Sequence, residues 1–146
     1  PGQTVNLTVA VARANLGEGS YSTVLSIGGD FAAQVTVKAR VERRPVVDIV
    51  AIDDSISSTC TTSIITVQAS ITDESGLRSV KGTWSGPAGN GSFAMVFNGS
   101  WYGSIPVSGG FGQGNGGTYS LTVTATDTRG NTGSDTGKFF VATCPG

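Results

Sequence analysis

The 146-residue chain is predicted to be all-β: an antiparallel sandwich preceded by three strands of a partial second unit. Three observations predict this. Apolar and polar residues alternate with a period of two in one short stretch after another, which is the signal of a half-buried strand. Charged residues make up only 13% of the chain while glycine is abundant at 22 residues, a balance that suits strands joined by tight turns. No window reads as an amphipathic helix.

The first three elements lie at 4–12, 20–27 and 34–42. "TVNLTVAVA" puts Val5, Leu7, Val9 and Val11 on one face. "SYSTVLSI" does the same for Tyr21, Thr23, Leu25 and Ile27, and "QVTVKARVE" for Val35, Val37, Ala39 and Val41. The turns between them are "LGEGS" (16–20) and "GGDF" (28–31). Pro45 then biases Arg44 toward extended backbone and cannot donate to a ladder, so a domain boundary is placed at about residue 45. This divides the chain into 1–45, the C-terminal part of one β unit plus linker, and 46–146, a seven-stranded sandwich.

The seven expected strands are 46–52, 63–72, 77–84, 92–97, 100–107, 117–126 and 137–143. The second buries Ile65, Val67, Ala69 and Ile71, the third offers Val80 and Trp84, and the sixth Tyr119, Leu121, Val123 and Ala125. Seven short alternating strands in about 100 residues indicate an antiparallel sandwich. Trp84 and Tyr119 are read first as core aromatics.

Composition excludes several function classes. Net charge is −1, and the one basic run, "RVERR" (40–44), reads as a strand end and linker, so nucleic acid is not an expected partner. No apolar stretch approaches the roughly 18 residues of a membrane span. With no histidine, neither a Ser-His nor a Cys-His pair can form, and Asp53 with Asp54 reads as a solvated turn, so the chain is not expected to be an enzyme. Zinc would need about four ligands. The two cysteines, Cys60 and Cys144, are therefore read as a disulfide, which points to an oxidising compartment. In an up-and-down arrangement both fall at the C-terminal pole of the sandwich, just before strand two and just after strand seven. Such a bridge would contribute roughly 4 to 5 kcal/mol in the chain-entropy model.

Two stretches carry a family resemblance. "ASITDESGLRSVKGTW" (69–84), through Asp73, Gly76 and Val80, and "GTYSLTVTATDTRGNTG" (117–133), through Tyr119, Ala125, Asp127, Gly130 and Asn131, resemble the bacterial immunoglobulin-like domains of extracytoplasmic, multi-domain proteins. Trp84 on the third strand and Tyr119 opening the sixth fit the immunoglobulin pattern. Residues 1–42 are similar to the last three strands of another bacterial immunoglobulin-like type. The resemblance implies a tandem array on a secreted or cell-surface protein, with modules serving as spacers, adhesion elements or sensor ectodomains. The cysteine pair is not general to these families. Three strands leave open edges and an apolar face, so residues 1–42 are expected either to form a homodimer with a second copy or to pack on the second domain.

Several residues stand out for binding. "TDESG" (72–76) and "DTRGN" (127–131) are turns at the N-terminal pole. Asp48, Asp73, Glu74, Asp127 and Asn131 could there converge on calcium, which takes six to eight oxygen ligands. The competing reading is turn chemistry: Asp127 and Asn131 bond backbone groups while Gly130 takes positive φ. Phe111, in the glycine-rich "SGGFGQGNGG" (108–117), either anchors that loop or contacts a partner. Trp101 and Tyr102 are adjacent and so face opposite ways; with Trp101 inward beside Ile105, Tyr102 is exposed and available to stack on a sugar. Lys38, Lys81 and Lys138 are the lysines an isopeptide cross-link would use, but Lys81 and Lys138 fall on the outward register.

The functional expectation is a non-catalytic extracytoplasmic module of a larger bacterial protein. It would act as spacer, protein-interaction or sensor ectodomain, with a protein or cell-surface component as partner and no cofactor. The alternative is a carbohydrate-binding accessory domain of a secreted enzyme.

Overall fold

The computed structural model describes residues 4, 6–12, 14–29, 32–54, 63–107 and 115–143. Among the described residues every regular element is a strand and every pairing is antiparallel. The chain divides into two compact units, residues 1–43 and 44–146.

The first unit is a hairpin of β1 (Gly19–Ile27) and β2 (Ala33–Val41), paired without interruption from Gly19↔Val41 to Ile27↔Ala33. Tyr21, Thr23 and Leu25 share one face with their partners Ala39, Val37 and Val35. The Tyr21 hydroxyl donates to the Gly17 carbonyl at 2.9 Å, and Arg43 Nη2 donates to Leu16 O at 2.7 Å, tying the preceding turn to the hairpin. The strand expected at 4–12 is corrected here: its described residues belong to no ladder, and Leu7, Val9 and Val11 are exposed. Alternation gives an extended segment an apolar face but does not supply a neighbour to pair with, and the described residues of the first unit accordingly form two strands rather than three.

The second unit holds seven strands: β3 (Val46–Asp53), β4 (Ile64–Thr72), β5 (Leu77–Gly86), β6 (Gly89–Phe97), β7 (Trp101–Pro106), β8 (Gly117–Asp127) and β9 (Thr132–Val141). Their order is β3-β4-β7-β6-β5-β8-β9. Because β4 and β5, like β7 and β8, are consecutive in chain but not neighbours in the sheet, two connections join strands of different leaves that do not pair. This differs from a simple up-and-down order and matches the strand order of an immunoglobulin-type sandwich. Antiparallel alternation still places the start of β4 and the end of β9 at one pole. The turns at 73–76 and 128–131 lie at the other.

The two leaves are joined through β6. Its first part, Gly89–Ala94, pairs with β5, and its last three residues, Met95–Phe97, pair with β7. Phe93, near the crossover, points into the core, and its ring lies over Gly82 of β5 and Gly103 of β7. A Cβ added at Gly82 would meet the Phe93 ring at 2.1 Å, and one at Gly103 at 2.6 Å. The glycines that look like strand breakers in the sequence are the seat of this ring.

Alternation then fills the space between the leaves. Ile65, Val67 and Ala69 of β4, Ile105 of β7, and Tyr119, Leu121, Val123 and Ala125 of β8 are all buried, with Phe139 and Val141 of β9. Each large side chain of this set contributes about 1.5–3 kcal/mol by leaving water. The open ends of the sheet, β3 and β9, approach each other, and side chains span the seam. Asp135 Oδ2 accepts the Ile49 N–H at 2.9 Å, and Asp54 Oδ2 accepts the Phe140 N–H at 2.6 Å. At its lower end the seam is so narrow that a Cβ on Gly133 would stand 1.8 Å from the Pro45 carbonyl oxygen.

Gly133→Ala is therefore expected to force β9 away from β3 and to cost about 1–3 kcal/mol. Urea unfolding should show a lower midpoint with an unchanged slope, and an unchanged midpoint would refute the close approach.

Candidate functional site

The pole that carries the 73–76 and 128–131 turns is organised by Asp127. The alternation that buries Tyr119, Leu121, Val123 and Ala125 carries one step further, so Asp127 also points inward and is fully buried. Its Oδ1 accepts the N–H groups of Arg129 and Asn131, both at 2.8 Å, and its Oδ2 accepts the Asn131 side-chain amide at 2.8 Å. Its own N–H reaches Asn131 O at 3.0 Å and its carbonyl accepts from Gly130 at 3.2 Å, with Gly130 at φ 92°. Burial pushes this carboxyl up. The bonds from the Asn131 side chain and from the Asn131, Arg129 and Gly130 backbone outweigh it and hold the group below its ordinary value of 3.8.

The neighbouring turn is stitched to this one. Thr128 donates its N–H to Gly76 O and its hydroxyl to Ser75 O, both at 3.0 Å. Asp73 Oδ1 accepts the Ser75 N–H at 3.0 Å and its hydroxyl at 2.8 Å. The calcium set read from the sequence is therefore not assembled. Among the described residues no three of His, Cys, Asp and Glu come together as metal ligands. Asp127 is occupied by its own turn, while Asp48 is exposed on β3 and Glu74 is exposed in its turn.

At the opposite pole Tyr119 plays the matching part. Its ring is fully buried, stacked on Phe139 at 5.1 Å and 5°, and meets Trp84 edge-on at 5.9 Å. Its hydroxyl donates to Asn115 O, four residues upstream, and accepts the Ala88 N–H at 3.0 Å. Burial pushes the phenol up from 10.0, and the Ala88 bond only partly offsets this.

Two exposed faces remain. On the leaf of β3, β4, β7 and β6, Tyr102 is 39% exposed and pairs with Val96, itself 65% exposed. Trp101 is half-buried against the core and tilts against the exposed Phe97 at 5.4 Å. Of the two adjacent aromatics, which the sequence requires to face opposite ways, Trp101 is the inward one and Tyr102 the outward one. Phe111, Cys60 and Cys144 lie outside the described residues.

The other leaf carries a feature the sequence reading passed over. The outward positions of β5, β8 and β9 line up in register as Ser85–Ser120–Lys138, Thr83–Thr122–Thr136 and Lys81–Thr124–Ser134. Ser92 and Asn90 of β6 extend two of these rows. Thr83, Trp84, Ser85, Asn90, Gly91, Ser120 and Thr122 line a shallow depression of about 280 Å³. The signal was present in "TYSLTVTAT", whose outward half is Ser-x-Thr-x-Thr, but a period-two reading attends to the apolar half.

No protein-family model matches the chain, and no curated protein matches it.

Tyr119→Phe removes the acceptor of Ala88 N–H and the donor to Asn115 O, and is expected to cost about 1–3 kcal/mol in chemical denaturation while leaving the fold intact by circular dichroism. For Asp127 the folded carboxyl titrates below its unfolded value, so its contribution is complete above the unfolded value near 3.8 and is lost as pH falls through the lower folded value. Asp127→Asn should be less stable than the parent at pH 7, with the gap between the two melting curves closing as pH drops from about 5 toward 2. A gap independent of pH would show that the carboxylate charge does not hold the turn.

Proposed function

We propose that the chain is a non-catalytic, extracytoplasmic immunoglobulin-like module of a larger bacterial protein, acting through its surface as a spacer or interaction ectodomain. One observation carries the reading: among the described residues the two fully buried ionisable side chains, Asp127 and Tyr119, are spent on architecture. Asp127 gives both oxygens to its own turn, and the Tyr119 hydroxyl bridges Asn115 and Ala88 at the opposite end. A buried tyrosine at the start of the sixth strand, bonding to backbone a few residues upstream, is a recurring device of immunoglobulin-type sandwiches. The strand order supports the same class.

The extracytoplasmic part rests on Cys60 and Cys144. Exported to an oxidising compartment, the chain is expected to show no titratable thiol, and reduction should lower its stability by roughly 4 to 5 kcal/mol. Two free thiols in exported material would overturn this part of the reading.

A second reading, a carbohydrate-binding accessory domain, draws on Tyr102, exposed beside Val96 on a sheet face. Retention on a neutral insoluble polysaccharide that is abolished by Tyr102→Ala would favour it over the first.

A further inference from the structure

We propose that the outer face of β5, β8 and β9 is a binding surface for a carboxylated polysaccharide, seated over the depression at Thr83, Ser85, Asn90, Ser120 and Thr122. The proposal names a partner class for the module described above and relies on that reading only for the setting in which such a polymer is met.

Charge is the first support. The chain has ten acidic against nine basic residues, yet the outward register of β5, β8 and β9 holds Lys81 and Lys138 and no Asp or Glu. The acids of these strands point elsewhere: Asp127 into its turn and Asp135 across the seam to Ile49. The two lysines flank the hydroxyl rows on opposite sides of β8, Lys81 beside Thr124 and Lys138 beside Ser120. They are separated by two strand spacings and four residues of rise, about 16 Å between backbone positions.

The ratio of groups selects the ligand. Serine and threonine hydroxyls each donate one hydrogen bond and accept up to two, as sugar hydroxyls do, so a field of them can both give to and take from a polyol. Two isolated ammonium groups in that field suit a polymer with many hydroxyls and sparse anions. A dense polyanion such as nucleic acid would call for clustered cations, and a phosphate polymer would be better met by guanidinium forks, whereas the one arginine of these strands, Arg78, stands at the β5 bulge outside the paired rows.

The test is titration calorimetry of the 146-residue chain with oligogalacturonate, dextran and polyphosphate as probes. Oligogalacturonate is expected to bind, more weakly as salt rises. Lys81→Ala and Lys138→Ala, both on exposed side chains, should each weaken it about three- to fivefold, as expected for exposed ion pairs. Thr122→Val, which keeps shape and removes one hydroxyl, should weaken it without changing the salt dependence. Tyr102→Ala on the other leaf should bind as the parent does. Absence of oligogalacturonate binding, equal binding of dextran, tighter binding of polyphosphate, or indifference to both lysine substitutions would each overturn the proposal. The thiol measurement on exported protein is unaffected by any of these results, so failure here and failure of the extracytoplasmic reading are distinguishable.

Discussion

The second unit depends on one strand belonging to two leaves. β6 gives its first residues to β5 and its last three to β7, and this handover turns a seven-stranded ribbon into a curled, nearly closed sandwich. The geometry is possible because the Phe93 ring at the crossover finds glycine on both sides, Gly82 and Gly103. Any larger residue there would force the ring out of the core and the two leaves apart. With the curl set, β3 and β9 arrive side by side. Two of their edge N–H groups, those of Ile49 and Phe140, which would otherwise invite pairing with another chain, are met by Asp135 and Asp54.

The two poles are finished by the same strand. β8 begins with Tyr119 and ends with Asp127, both fully buried. One hydroxyl and one carboxylate thus fasten the connections at opposite ends of a single hydrophobic row. A buried polar group is costly unless bonded, and here the bonds it makes are to turn backbone. The outward half of the same strand carries the hydroxyl rows instead, Ser120, Thr122 and Thr124.

Much of this was legible in the residues. The seven strands of the second unit follow from period-two patterning, and the inward set of β8 from one side of a single alternation. Turn chemistry at "DTRGN" was readable from an aspartate that can bond two to four residues on, with a glycine able to take φ 92°. The strand at 4–12 was misread because alternation reports amphipathicity and says nothing of a ladder partner. Convergence of acids at one pole was inferred from chain position alone, which cannot see that Asp127 continues the inward row and is consumed there. The hydroxyl face was missed for the opposite reason: it is built from three strands far apart in sequence, and only their register brings Thr83, Thr122 and Thr136 into one line.

The direction of the end strands has a mechanical meaning. β3 leaves the linker at the pole of Pro45, and β9 runs parallel to it and finishes at the opposite pole, so tension between the linker and the chain beyond Val141 acts along the strand axes. Stretched that way, the rungs joining β3 to β4 and β9 to β8 are sheared together rather than peeled one after another. A unit loaded in this orientation resists being drawn out.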